Sequence, residues 1–366
     1  MHKFCETVDL HVLQNSHRST ALCIGGSPSD RIQATFLLGA YLVMRHALHP
    51  DEAMQRLAPV LPDGPAVFRG PFDSQSNSLP LRDCLAAMHR SRALGWVSFS
   101  EIHSDDAAFD PDEYAHYDSP LNADLHELVP GRIVAAPCPR ALPAGAAWAD
   151  RRDAAGRFVA RDFSPAFAAD LLAQFDAALC VRVVGPCGDG SEDGLVGAGL
   201  GPVLDLPCGP GSAPDPDTVA RFLATADAAA PRAVALLEDG GRQGPAGALA
   251  GAYLVRRHGF SACEAAAWLR IVRPGCVSGE ELPFLRAQEE QFTAAAAAVA
   301  AAASSAAPTS SSTQRPCDPG ADSFSPPPPP GSEAGNAAAG FAWGLRRSGP
   351  TGRLSGLVGW VGRWGL

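Results

Sequence analysis

The sequence predicts an α/β fold built as two tandem related units, each a central β-sheet flanked by helices, followed by a disordered C-terminal tail. Three observations carry this. The segment Gly39-Ala40-Tyr41-Leu42-Val43-Met44-Arg45-His46 returns 212 residues later as Gly251-Ala252-Tyr253-Leu254-Val255-Arg256-Arg257-His258, and 10 of the 19 positions from 39 to 57 match at that offset. Short apolar runs alternate with stretches of helical periodicity, the pattern of α/β layers. Beyond about residue 292 the composition collapses into alanine, serine and proline.

The elements follow in order. Each repeat copy reads as a helix, with apolar residues at three- and four-residue steps through Phe36, Leu37, Ala40, Tyr41 and Val43, and again through Leu249, Ala252, Tyr253 and Val255. Ahead of each lies an apolar run with the look of a strand, Ala21–Ile24 and Ala233–Leu237, leading through a Gly-containing loop. A loop so placed sits at a helix N-terminus, where free N–H groups and the helix dipole favour an anion. Leu179–Val184 and Pro202–Leu206 read as buried strands. Asp217–Ala230 and Ser261–Val272 read as amphipathic helices. The run Ala294–Ala303, a Ser/Thr stretch and Pro326–Pro330 offer too little apolar variety to offset chain entropy, so the tail is expected to be mostly disordered, with an isolated helix over the alanines as an option. Phe341–Leu366 carries four Arg and three Trp without acids, a composition that suits a short interaction or membrane-surface patch and an unselected or mispredicted terminus equally.

Composition bounds the function. The net charge of −10 and pI near 5.4 argue against nucleic-acid binding, which needs basic surface. No run of about 20 apolar residues marks a transmembrane segment, and the N-terminus lacks the apolar core of a signal peptide. The chain is therefore expected to be intracellular, in nucleus or cytoplasm. Ten cysteines without paired spacing fit reduced, mostly buried thiols, and without C-x-x-C or a His partner at i±4 of His46 or His258 no metal and no cofactor is expected. Those two histidines read as surface or interface residues, and Trp268 as a core anchor. Gly197-Ala198-Gly199 lacks the third glycine at dinucleotide-loop spacing and reads as a helix-to-strand turn.

Several passages converge on one family. Phe109-Asp110-Pro111-Asp112-Glu113-Tyr114-Ala115-His116-Tyr117-Asp118, then Asn122-Ala123-Asp124 and Val129-Pro130-Gly131-Arg132, closely resemble the segment joining the two domains of the mitotic-exit dual-specificity phosphatases, the cell-division-cycle-fourteen family. Pro71-Phe72-Asp73, Asp83-Cys84-Leu85 and Ala267-Trp268-Leu269-Arg270-Ile271-Val272-Arg273-Pro274-Gly275 fit the same pattern. The resemblance implies a non-catalytic domain over residues 1–118, truncated at its start, a phosphatase-like domain over 119–292, and the tail over 293–366. It also implies that Asp110, Asp112, Glu113 and Asp118 border a groove that selects partner proteins or phosphoproteins. A solvated linker is an equal reading of those acids. Arg273 resembles a residue that braces the family's signature loop.

That family works through H-C-x5-R between strand and helix: a thiolate attacks phosphorus, the arginine clamps the phosphoryl oxygens, and an aspartate from a neighbouring loop protonates the leaving oxygen. Aligned on Tyr253, the loop here is Glu238, Asp239, Gly240, Gly241, Arg242, Gln243 and Gly244, followed by Pro245. Asp239 then stands at the nucleophile position, Pro245 at the arginine position, Glu238 at the histidine position and Pro210 at the general-acid position. No register shift repairs this, because no cysteine occurs between Cys208 and Cys263. Asp215 could slide into the acid role, and Asp239 is conceivable as an aspartyl nucleophile. The C-x5-R from Cys84 to Arg90 falls in a glycine-free helical run and reads as chance. Glu238 and Asp239 would repel a phosphate dianion while Arg242 attracts it, so weak or no phosphate binding is expected. The leading expectation is a pseudophosphatase or protein-binding scaffold. The competing ones are an active dual-specificity phosphatase whose loop the gene model misrepresents, and a degenerate fragment.

Overall fold

The computed structural model describes residues 1–61, 66–68, 78–99, 109–143, 145–183, 195–197, 203–206, 208, 213–238, 244–277 and 281–305. Its helices are α1 (His2–Gln14), α2 (Pro28–His46), α3 (Pro50–Leu57), α4 (Leu81–Ala93), α5 (Pro111–Asp118), α6 (Pro165–Gln174), α7 (Pro216–Ala228), α8 (Gly244–His258), α9 (Ala262–Val272) and α10 (Glu281–Ser305). Local chemistry sets most of the starts. Ser27, Asp110, Ser164 and Asp215 each accept a backbone N–H as N-caps, and each is followed by a proline whose fixed φ suits the first helical position. Ser261 and Glu264 close a full capping box on α9.

The strands are β1 (Val67–Phe68), β2 (Leu79–Pro80), β3 (His126–Val129), β4 (Ile133–Pro137), β5 (Trp148–Arg152), β6 (Phe158–Phe163), β7 (Ala177–Arg182), β8 (Val203–Asp205) and β9 (Ala233–Glu238). Five of them form a mixed sheet in the order β3-β4-β9-β7-β8, with β3 antiparallel to β4 and the other pairs parallel. Its middle strand β9 reads Ala-Val-Ala-Leu-Leu-Glu and is buried at every residue, as a parallel strand covered on both faces must be. The strands expected at 179–184, 202–206 and 233–237 and the helices expected at 217–230 and 261–272 are thus present, with ends moved by a residue or two.

The two repeat copies extend to three helices each. Helices α2, α3 and α4 are matched by α8, α9 and α10, and the repeated glycine does the same work in both. A Cβ on Gly39 would lie 2.7 Å from Leu85 of α4, and one on Gly251 would lie 2.6 Å from Leu285 of α10. The two halves share one hydrophobic cluster that runs from Phe36 and Leu85 to Leu249 and Trp268, and a second cluster, with Val134, Leu172, Cys180 and Leu237, belongs to the second half. Trp96 belongs to the shared cluster, stacked on Phe260 at 5.7 Å with the His258 ring edge-on at 4.8 Å. Arg90 reaches across to Glu264 at 3.4 Å and to the His258 carbonyl, while the Tyr114 hydroxyl donates to the Val272 carbonyl at 2.9 Å. Trp268 is the core anchor expected of it, its indole N–H given to the Leu128 carbonyl at 2.9 Å.

Four expectations differ from the structure. A central sheet in the first half is not found among the described residues, whose only ladder there is the two-residue pair β1–β2. Ala21–Ile24 is exposed coil: a four-residue apolar run without a pairing partner cannot stand as a strand. The alanine run is no isolated helix, since α10 continues through it to Ser305 from turns anchored by Leu282 and Leu285. Alanine propagates a helix once packing has nucleated it. Residues 306–366, including Pro326–Pro330 and Phe341–Leu366, lie outside the described residues. Finally, Cys138 is disulfide-bonded, whereas Cys5, Cys23, Cys180, Cys208, Cys263 and Cys276 are free. Pairing depends on approach in space, which sequence spacing does not report.

Candidate functional site

In an open sheet of parallel strands, ligands bind beyond the carboxyl ends, where strand order reverses. Here β9 is inserted between β4 and β7, so its end at Glu238 marks that place. Helix α8 begins six residues later, with its N-terminus at the same edge.

Glu238 is the last residue of β9 and only 2 % exposed. One carboxylate oxygen, Oε2, takes a hydrogen bond from Arg273 Nη1 at 2.5 Å, and the other, Oε1, takes the Ala246 backbone N–H at 3.3 Å. Arg273 is itself 4 % exposed, just past the end of α9. Burial pushes the Glu238 carboxyl up toward 7, with Arg273 pulling the other way. The resemblance cast Arg273 as a brace for the loop, and it does hold the residue from which the loop departs. The Glu238 carbonyl also accepts from the Cys138 N–H at 2.6 Å, tying the ends of β4 and β9 together.

Asp239, Gly240, Gly241, Arg242 and Gln243 lie outside the described residues, as does Pro210. Gly244 and Pro245 are half-buried and open α8. Gly244 is small for a reason: a Cβ there would sit 2.1 Å from Glu281 Oε1. Gly247 is more confined, because a Cβ would meet the Cys276 carbonyl oxygen at 2.1 Å and its sulfur at 2.8 Å. No described thiol near this edge is primed for attack. Burial raises Cys276 and Cys180 to about 12 and Cys208 to about 11, so each is held as the thiol.

Asp215 is committed elsewhere. Its two oxygens accept from the Thr218 N–H at 2.9 Å and the Thr218 hydroxyl at 2.8 Å, and these bonds hold its carboxyl below the usual range, the state of a helix cap and not of a proton donor. Cys84 and Arg90 lie within α4, in a helix and not in a cradle.

The four acids of the joining segment separate into two places. Asp110 caps α5 by accepting the N–H groups of Asp112 and Glu113, so these three share one turn. Asp118 stands at the far end of α5, 3.5 Å from Nδ1 of buried His126, whose Nε2 is 3.5 Å from Asp124. Sequence reasoning did not single out His126, Glu281 or the pair Arg182–Asp205, which is bidentate at 2.5 and 2.6 Å on β7 and β8. A charge interrupting an apolar strand was the available signal for Arg182. His258 is half-buried against Trp96 and Tyr253, an interface residue, whereas its repeat counterpart His46 is exposed. Among the described residues no group of three or more His, Cys, Asp or Glu could hold a metal ion, and no helix is long and apolar enough to cross a membrane.

No protein-family profile matches the chain. Among curated proteins it is similar to Tyrosine-protein phosphatase cdc-14 of Caenorhabditis elegans, 26% identical over 260 residues covering 70% of this chain and 33% of that protein. Dual specificity protein phosphatase CDC14AB of Danio rerio is 27% identical over 72% of this chain and 40% of its own length. Dual specificity protein phosphatase CDC14C of Homo sapiens is 28% identical over 71% of this chain and 53% of its own. The chain thus spans about a third to a half of the relatives it matches, and the resemblance read from the joining segment extends over about 70% of it. Of solved structures, Tk-PTP in the active form aligns with TM-score 0.35 and 22% identity over 46% of this chain and 97% of that one. PTPMT1 aligns with TM-score 0.35 and 15% identity over 48% of this chain and 99% of that one.

Proposed function

We propose that this chain, a relative of the CDC14 dual-specificity phosphatases, is a pseudophosphatase: an intracellular scaffold of two phosphatase-like units, 1–118 and 119–292, that binds proteins or phosphoproteins without hydrolysing them. The observation that carries the reading is the joint substitution of the positions on which the family's chemistry depends. Asp239 stands for the nucleophilic cysteine, Pro245 for the arginine and Pro210 for the general acid, in a stretch from 209 to 262 that holds no cysteine at all. Without a thiolate no phosphocysteine forms, and without the guanidinium the transferring phosphoryl group loses its bidentate partner. The commitment of Asp215 to Thr218 and the protonated state of Cys208 and Cys276 support it further. Asp110, Asp112 and Glu113, gathered in one turn of α5 beside the shared core, are the acids that would meet a basic partner segment.

Hydrolysis of an aryl phosphate by the purified chain tests this: the expected rate equals the no-protein background, and a rate abolished by Asp239→Asn would overturn it. The competing reading, an active phosphatase, draws on the similarity to CDC14 proteins over 70% of the chain. Sequencing the transcript across codons 200–260 separates the two, since a restored H-C-x5-R would end the pseudophosphatase reading.

A further inference from the structure

We infer that the inner end of α8 forms an oxyanion cradle which the protein fills with its own Glu238 carboxylate. The inference deepens the pseudophosphatase reading and rests on it for the statement that no external phosphate is turned over at this edge.

A 15-residue helix leaves its first backbone N–H groups without intrahelical partners and carries partial positive charge at that end. One of those donors, Ala246 N–H, is buried and points at Glu238 Oε1. Opposite it stands Arg273, a guanidinium with 4 % exposure. Its Nη1 is engaged by Glu238 Oε2, and its Nε is buried with no hydrogen-bond partner, so the cation holds donor capacity beyond what the glutamate consumes. An amide and a guanidinium facing one another across a buried carboxylate make the donor arrangement of an oxyanion site, and the occupant is observed in place.

A second carboxylate seals the same end. Glu281 at the start of α10 lays the end of its side chain against Gly244, where a Cβ would meet Oε1 unless that side chain moved aside. Asp124, across the sheet end, adds negative potential that acts on both Glu238 and Arg273. Two carboxylates of the chain, Glu238 in direct contact and Asp124 at longer range, therefore act on the one buried guanidinium, and its charge is already offset from within. The positive end of α8, which would draw an anion in a fold of this kind, is occupied from within.

Chemical rescue tests the inference. Glu238→Ala removes the occupant while keeping Ala246 N–H and Arg273, leaving a void of carboxylate size. Formate should enter it, giving saturable one-to-one binding by titration calorimetry and raising Tm by roughly 4 °C at about 20 times its Kd, relative to chloride at equal ionic strength. Wild-type protein and the double variant Glu238→Ala/Arg273→Met should show no such rise. The inference is overturned if folded Glu238→Ala gains nothing from formate, or if all three proteins gain equally. Should Glu238→Ala fail to fold in chloride, refolding in formate decides: recovery of the native circular dichroism supports the cradle, and failure in both salts overturns it. Aryl-phosphate hydrolysis by wild-type protein is measured in parallel, so failure of the non-catalytic reading shows as turnover and failure of the cradle as absent rescue.

Discussion

Gly39 and Gly251, 212 residues apart, occupy the same place in two copies of a three-helix arrangement, each leaving room for a leucine of the third helix, Leu85 in one case and Leu285 in the other. The repeat noticed in the sequence is therefore a packing device. A methyl group at either position would come within 2.7 Å of a leucine methyl, well inside contact distance.

Replacing either glycine with alanine should accordingly destabilise the fold by about 1–3 kcal/mol through overpacking. The leucine can be trimmed to test the cause. In urea titrations, Gly251→Ala combined with Leu285→Ala should cost less than the sum of the two single changes, and strict additivity would show that the clash is not the source.

Gly247→Ala should be the most damaging of the alanine substitutions on α8. The obstacle there is the Cys276 backbone carbonyl and not the end of a flexible side chain, so relief requires the chain after α9 to move. A loss of stability greater than that of Gly251→Ala is expected by the same titrations. An equal or smaller loss would mean that the turn after α9 yields easily.

The imidazole of His258 gives stability a defined pH window. Burial, aided by the Arg132 charge, lowers its pKa from 6.5 to about 4, and Trp96 and Tyr253 supply the rings around it. A depressed value means that the unfolded chain takes up a proton the folded chain refuses. Its contribution is fully present above pH 6.5 and is lost as pH falls from 6.5 toward 4. His258→Phe, which keeps a ring edge on Trp96, should flatten the fall in Tm over that window relative to wild type. Parallel curves for the two proteins would assign the acid sensitivity elsewhere.

Cys138 should appear in a disulfide-linked peptide when the oxidised protein is digested and mapped without reductant. The Cys5, Cys180 and Cys276 peptides should be recovered as free thiols. Recovery of Cys138 as a free thiol from protein kept oxidised would contradict the structure.

Much of the fold was legible because it depends on short-range rules. The β9 run has no polar residue until Glu238, the helices from Pro28, Pro165 and Pro216 carry their caps and prolines in sequence, and the α8 periodicity is unbroken. The misreadings are of another kind. Ala21–Ile24 has strand composition and no strand to pair with, and the alanines after 292 continue a helix because Leu282 and Leu285 are packed ahead of them. In both cases the deciding contact is distant along the chain.

The candidate site divides along the same line. By itself the sequence determined that no cysteine lies between Cys208 and Cys263, because the absence of a residue type can be read without any structure. Only the tertiary structure decided what the end of β9 is paired with. Glu238 and Arg273 are 35 residues apart and become partners only when α9 returns the chain to the end of β9. Burial then makes their pairing obligatory, since either charge left alone in that interior would cost about 3–5 kcal/mol. The same burial brings the Ala246 amide onto the second carboxylate oxygen of Glu238, a contact that sequence spacing does not report.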